Sequence, residues 1–269
     1  MTITVRRTRT DIESVPRYNK DVNGFPKVER PVESRYELNE HLANLFERAM
    51  QTLDKELTYA RYQAIAYLKP EVSNGLYDNA ELISRSLAGI RKNGLVKRLE
   101  SSFYAFQISI QNFRQANQNM QDMFANNKVF VAPDLDINRL LENGLSEEEI
   151  EERLNAKAET NPKNAVFHAD DFRPEFIKML QADQVILEKM WNDWQGISDE
   201  DDSKFAKFKE LLKHELFKSE HNPEQKLVIF SESVDTVKYL ERRINRPDVL
   251  VISSGNRSLL FKTIRESFD

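Results

Sequence analysis

The period of the apolar residues changes once along this chain, near residue 226, and that change limits the fold more than any other feature. Upstream, hydrophobic side chains recur at three- and four-residue steps, the spacing of one helix face. Downstream come two compact apolar runs, Leu-Val-Ile-Phe at 227–230 and Val-Leu-Val-Ile at 249–252, each followed by helical spacing. Short continuous apolar runs are the pattern of strands buried on both faces of a parallel sheet. Strand, helix, strand, helix with short loops implies a right-handed parallel βαβ unit. The predicted fold is therefore mostly α-helical with a small C-terminal α/β piece, a sheet begun and not completed.

The upstream part divides by pattern. Residues 1–35 are basic and irregular; Arg6, Arg7 and Arg9 cluster, and Pro16, Gly24, Pro26 and Pro31 prevent a long helix. Residues 36–126 form a long-helix region. Leu38, Leu42, Leu45, Ala49, Leu53, Leu57, Ala60, Ala64 and Leu68 predict one helix over 36–69, ended by Pro70. It would be about 50 Å long at ~1.5 Å per residue. Residues 79–126 read as one helix broken near Gly94, or as two, with Leu95, Leu99, Phe103, Phe106, Ile110 and Phe113 in one stripe. A short strand is expected at 129–131. Residues 127–200 read as a helical insertion. In it Ser146 with Glu149 predicts a capping box, and Pro174 opens a helix over 173–195. Residues 201–225 are a helix and linker, the helix at 204–218 capped from the Ser-Asp-Glu-Asp-Asp run. Residues 226–269 are the α/β piece.

Seven glycines in 269 residues suit long helices. There is no cysteine, so no disulfide framework and no cysteine zinc site. No apolar run approaches the ~20 residues that span a bilayer, and the N-terminus lacks the apolar core of a signal peptide. A cytoplasmic protein is expected. The net charge of −5 argues against a uniformly basic nucleic-acid binder but leaves room for a local basic patch. Gly89 and Gly94 have the spacing of a phosphate-binding loop. Leu95 and Val96 follow, where Lys and Ser or Thr are needed, so the glycines read as helix breaks. His41, His168, His214 and His221 do not fall at metal-ligand spacing. The Phe-His-Ala-Asp-Asp stretch at 167–171 reads as a capped helix start rather than a ligand cluster. No catalytic residue, metal site or cofactor site is predicted within the chain.

Three segments rise above composition. Val-Arg-Arg-Thr-Arg-Thr-Asp at 5–11 groups three arginines near a bend, which suits phosphate or carboxylate, or is a solvated basic tail. Leu-Val-Lys-Arg-Leu-Glu-Ser-Ser at 95–102 puts Lys97 and Ser101 on one helix face and Arg98 and Ser102 on another, with Glu100 between them and the apolar stripe. It is also what a core helix with a polar back looks like. The third segment is double: Ser231, Glu232 and Ser233 follow the first apolar run, and Ser253, Ser254 and Gly255 follow the second. Ligands of open α/β sheets bind at the carboxyl ends of strands, and hydroxyls beside helix N-termini suit phosphate. Plain helix capping accounts for the same serines.

Taken in order, these segments resemble the middle of bacterial Swi/Snf-type helicases of helicase superfamily two. Val-Arg-Arg-Thr-Arg-Thr-Asp-Ile with the later Gly24 to Pro26 is similar to the stretch leaving the first RecA-like motor domain. Leu-Val-Lys-Arg-Leu-Glu-Ser-Ser-Phe-Tyr-Ala-Phe resembles the helical region between the motors. Asp-Asp-Ser-Lys-Phe-Ala-Lys-Phe-Lys-Glu-Leu-Leu, at 201–212, resembles the family's lead-in to the second motor. Lys-Leu-Val-Ile-Phe-Ser-Glu-Ser-Val-Asp-Thr-Val-Lys-Tyr-Leu, from 226, resembles motif IV and its helix, and Ile-Arg-Glu-Ser-Phe-Asp at the end resembles the approach to the next motif. Residues 127 to 200 match nothing in that pattern. Many members carry an arginine seven residues before the final Phe-Asp, where this chain has Phe261; Arg257, Lys262 and Arg265 stand nearby.

The resemblance implies a truncated RecA-like unit at the C-terminus. It implies a central fragment of an ATP-dependent DNA helicase or translocase, without ATPase chemistry of its own. ATP and Mg²⁺ belong to the intact parent, whose phosphate loop and acidic box would precede this segment. The implied partners are DNA or RNA, the first motor domain and the rest of the second. Ser231, Thr236, Ser253, Gly255 and Arg257 are the implied nucleic-acid backbone contacts. Arg6 and Arg7 would brace the motor junction, and Lys97, Arg98, Glu100 and Ser101 are structural or interdomain. The rival expectation is a stand-alone helical protein-interaction module without enzymatic activity. An uncovered apolar edge in the α/β piece separates the two, since an intact protein covers such an edge.

Overall fold

The structure is a computed structural model that describes residues 8–16, 30–73, 80–131, 165–253 and 256–268. The chain divides into two units, Met1–Arg35 and Tyr36–Asp269. In the first unit, α1 (Arg9–Ser14) is opened by Thr8. The Asp11 carboxylate accepts from Thr8 N–H at 2.7 Å, and Thr8 Oγ1 accepts from Asp11 N–H at 3.3 Å, a reciprocal capping box. Arg6, Arg7, Gly24 and Pro26 lie outside the described residues.

The second unit is mostly helical: α2 (Glu40–Gln51), a 3₁₀ segment (Ala60–Tyr67), α3 (Pro70–Ser73), α4 (Ala80–Ser101), α5 (Phe103–Ala125), α6 (Glu175–Trp194), α7 (Ser203–His214), α8 (Val234–Ile244) and α9 (Arg257–Phe268). Strands β1 (Val129–Val131) and β2 (Ala165–Phe167) pair antiparallel, Val129 opposite Phe167. The expected strand at 129–131 therefore forms, as does the helix opened by Pro174. The Ser146–Glu149 capping box lies outside the described residues.

The apolar side chains make two clusters. One joins Leu42, Leu45 and Leu53 to Leu99, Phe106, Phe113, Leu187 and Trp194. The other joins Ala60, Ala64 and Leu68 to Met120, β1, Phe172, Phe176 and Leu180. Helices α5 and α6 pass through both. They run antiparallel, since Gln107 reaches the Trp194 carbonyl at 2.7 Å and Asn117 the Leu180 carbonyl at 2.9 Å.

The helix expected over 36–69 is broken. After α2 the chain widens into a π turn (Thr52–Glu56), and Tyr59 takes a left-handed conformation with φ of 56°. The cause is Asp183 of α6, which is 0 % exposed. Its two carboxylate oxygens accept from the N–H groups of Thr58 at 2.8 Å and Ala60 at 2.9 Å, and Thr58 Oγ1 is 3.1 Å from both. A buried carboxylate needs such donors, and a continuous helix would spend those N–H groups on its own carbonyls. Burial pushes the Asp183 carboxyl up in pKa, and the bonds from Thr58 and Ala60 pull against it.

The break expected at Gly94 falls instead at Ser102. Gly89 and Gly94 both lie inside α4. Ser102 is extended, with φ of −159° and ψ of 152°, and its hydroxyl accepts from Ala105 N–H to start α5. Lys204 Nζ donates to the carbonyls of Glu100 at 2.8 Å and Ser101 at 3.0 Å, closing the end of α4.

The α/β piece is met in part. Helices α8 and α9 form where expected. Among the described residues, 227–230 and 249–252 make no sheet pairing, and the one sheet is the antiparallel β1–β2 pair. The expected burial of these runs is also corrected: Phe230 is 91 % exposed, and Val228, Ile229, Leu250 and Ile252 are exposed as well. A parallel pair holds only when helices cover both its faces, and no side chain of these runs is fully buried, Leu227, Val249 and Val251 being half-buried.

Two outcomes follow from these positions. A Cβ added at Gly89 or Gly94 meets nothing within 4 Å. Gly89→Ala and Gly94→Ala should each raise the unfolding free energy by about 0.5–1 kcal/mol, read from the urea midpoint. Asp183→Asn turns an N–H₂ toward a backbone donor and should cost about 2–3 kcal/mol, with the m value unchanged.

Candidate functional site

The end of α4 and the start of α8 meet through hydroxyls. Ser233 caps α8, its Oγ accepting from Thr236 N–H at 3.2 Å, and Ser231 Oγ accepts from Ser233 N–H at 3.1 Å. That capping fixes the first turn of α8, so Thr236 faces back toward α4. The Thr236 hydroxyl lies 2.7 Å from that of Ser101 and 3.0 Å from that of Ser102; Ser231 Oγ lies 3.5 Å from Ser101 Oγ. One turn earlier, Lys97 Nζ donates to Glu232 Oε2 at 2.8 Å. The lysine's hydrogen bond and charge, helped by Arg98, hold the Glu232 carboxyl below its usual pKa.

A second layer stands behind these hydroxyls. Asp202 caps α7 by accepting from Phe205 N–H at 2.9 Å, and it accepts from the Tyr239 hydroxyl at 2.8 Å. Tyr239 stacks on Tyr104 with ring centroids 5.6 Å apart, and Phe205 meets it edge-on. Arg242 lies over the Tyr104 ring at 4.7 Å and bonds Asp199 at 2.9 Å. Burial and the Asp202 carboxylate raise the Tyr239 pKa well above the ordinary tyrosine value. Burial lowers that of Lys204, with Asp202 and Glu100 opposing. Between the layers lies a cleft of about 490 Å³. Phe205, Phe208 and Tyr239 line its floor, with Lys97, Glu100, Ser101, Ser231 and Glu232 around the rim.

Seven of the residues singled out in the sequence are thus brought to one cleft: Lys97, Glu100, Ser101, Ser102, Ser231, Glu232 and Thr236. Thr236, expected at a nucleic-acid backbone, is buried with its hydroxyl engaged by Ser101 and Ser102, so it braces the joint. Arg98 is half-buried beside the cleft. Ser253 and Arg257 sit apart from it, at the start of α9. There Ser253 N–H donates to Asn256 Oδ1 at 2.7 Å, and Arg257 N–H donates to the Ser253 carbonyl at 2.9 Å. Gly255, Arg6 and Arg7 lie outside the described residues.

Sequence reasoning missed Tyr239, Asp202 and Lys204 as parts of the site. Tyr239 stands three residues after Thr236, on the same face of α8, and that spacing was a usable signal. Nothing local marks Asp202 or Lys204 for this contact, because their partners lie on α8 and α4.

The hydroxyls and charges satisfy one another, and no side chain here is paired as nucleophile with base. The arrangement is suited to coupling two segments rather than to bond chemistry. Among the described residues no group of three His, Cys, Asp or Glu side chains could hold a metal ion, and no helix is long and apolar enough to cross a membrane. Comparison with protein-family models, curated proteins and solved structures finds no match.

The second layer should outweigh the rim. Tyr239→Phe strips a hydrogen bond from the buried Asp202 carboxylate and should cost about 1.5–3 kcal/mol, whereas Lys97→Ala should leave the urea midpoint unchanged within error. The raised Tyr239 pKa favours the neutral phenol in the folded chain. That contribution is full below pH 10.0 and is lost as the pH climbs through the raised value. An absorbance titration at alkaline pH should show one fewer delayed tyrosine in Tyr239→Phe than in the parent.

Proposed function

We propose that this chain is the central part of an ATP-dependent DNA translocase or helicase of the Swi/Snf type, coupling two motor domains and contributing contacts to the nucleic-acid backbone. The observation that carries the reading is the Ser101–Thr236 contact, which joins segments 135 positions apart in sequence. Those are the two segments whose likeness to that family is most specific, the helix before the second motor and the motif IV helix. A translocase needs such a joint, because closure of its motors must reach the helical region between them. The exposed apolar side chains of 227–230 and 249–252 also support the reading, since a RecA-like sheet short of its neighbours would leave them uncovered.

In this reading Ser231, Ser253, Gly255 and Arg257 face the phosphates of one strand, and Thr236 serves by holding Ser101. Contacts to the backbone alone suit an enzyme that moves over any sequence. ATP and Mg²⁺ bind in the parent, outside this segment, and the cytoplasm is the expected compartment. The apolar runs at 227–230 and 249–252 would join a parallel sheet with strands of the same motor.

The test is the source gene on both sides of this segment, together with ATP turnover by the purified chain. A phosphate loop and acidic box upstream, an arginine-finger motif downstream and no ATP hydrolysis by residues 1–269 are the expected results. A gene that begins at Met1 and stops at Asp269, or turnover stimulated by nucleic acid in the isolated chain, overturns the reading. The first of those results would leave a stand-alone helical interaction module.

A further inference from the structure

Polar side chains of α5 and α6 make one chain of hydrogen bonds across the pair. Arg114 Nη1 donates to Glu188 Oε2 at 2.8 Å, and Gln184 Nε2 donates to Glu188 Oε1 at 2.9 Å. Asn117 Nδ2 donates to Gln184 Oε1 at 2.8 Å and to the Leu180 carbonyl at 2.9 Å. There the chain stops on an acceptor. Asn117 Oδ1 is buried without a partner, and so is Gln121 Nε2, a donor one turn further along the same face of α5. Among the described residues four buried side-chain polar atoms lack a partner. Ser84 Oγ and Arg243 Nε lie singly on α4 and α8, whereas the other two are an acceptor and a donor on neighbouring turns of one helix.

Turning either amide over does not cure the mismatch. Both N–H bonds of Asn117 are used on α6, so reversal would set its oxygen against two acceptors. Reversal of Gln121 would put an oxygen where the donor now stands, and two acceptors would share the gap. Elsewhere on α5 the same spacing closes directly: Gln115 donates to Asn119 at 2.9 Å and Gln118 to Asp122 at 2.9 Å. Those acceptors are exposed pairs, whereas the Asn117 amide is fixed by its two bonds to α6. Cβ atoms four residues apart on a helix stand about 5–6 Å from one another, a gap that one small molecule spans. A cation suits the Asn117 oxygen but is repelled by the Gln121 N–H groups, and an anion meets the reverse. Water accepts from the one and donates to the other, and leaving both buried atoms unpaired costs more than holding it. We propose that a single buried water bridges Gln121 Nε2 and Asn117 Oδ1, completing the chain from Arg114 to Gln121. The inference is independent of the motor reading.

A crystal structure of the full chain should show a water within about 3.2 Å of both atoms. In solution, oxygen-17 relaxation dispersion of the solvent counts the waters that a protein holds for longer than it takes to tumble. Gln121→Met keeps the reach of the side chain and removes the donor. Its dispersion amplitude should fall by that of one water, with the helical circular dichroism unchanged. The urea midpoint should fall as well, because Asn117 Oδ1 loses half of its bridge. Asn117→Leu should show the same loss of one water, but it also strips the Leu180 carbonyl of a donor. Gln121→Met therefore carries the test, since Gln121 Nε2 has no protein partner to lose. An unchanged amplitude in Gln121→Met overturns the proposal. So does a crystal structure with a direct bond between the two amides, a water on only one of them, or a dry gap.

Discussion

A single buried carboxylate organises the helical body. Asp183 lies between Leu180, which belongs to one apolar cluster, and Leu187, which belongs to the other. It takes the N–H groups of Thr58 and Ala60, and the boundary between the clusters passes between Tyr59 and Ala60. On α5 the same boundary falls at Asn117, which is 0 % exposed and donates to the Leu180 carbonyl and to Gln184. The body is therefore apolar, then polar, then apolar along the α5–α6 pair. Hydrophobic contact alone would let two antiparallel helices slide. A polar layer whose donors must meet particular acceptors penalises every other register by the desolvation of unpaired groups.

The same economy recurs at the joint with α8. Ser102 ends α4, starts α5 and meets Thr236, while Lys204 closes the α4 carbonyls. Asp202 starts α7 and holds Tyr239. Each of these caps serves a helix end and a tertiary contact at once, so the α8 contact is built on ends that the helices must satisfy anyway. The cleft beside them is not filled to the density of the two core clusters. A contact made of hydroxyls around open space can rearrange at lower cost than a close-packed one. That property fits the coupling role proposed for it.

Local pattern made much of this legible. The stripe from Leu95 to Phe113, the Pro174 helix start, the strand at 129–131 and the two C-terminal helices can be read from spacing and caps. In the sequence the Lys97–Ser101 segment and the pair Ser231 and Thr236 carry separate roles, and the structure brings them to one cleft. Two helix boundaries were misread, for different reasons. The 36–69 helix is apolar at every expected step, yet it breaks because a carboxylate more than a hundred positions away takes two of its backbone donors. The glycines of α4 looked like breaks, yet each costs a helix only about 1 kcal/mol, the Leu95 and Leu99 face holds the helix to the body, and the break moves to a serine that can cap.

By itself the sequence determined most of the helices among the described residues, while the strands expected at 227–230 and 249–252 make no sheet pairing. Periodicity sets which face of a helix is apolar, and capping residues set where helices can begin, because both depend on neighbours three or four positions away. Only the tertiary structure decided where the helices actually end, which serine is used, and that Tyr239, Asp202 and Lys204 belong to one site. Those outcomes rest on buried polar groups finding partners across long sequence separations. The cost of leaving such a group unpaired exceeds the local preference it overrides.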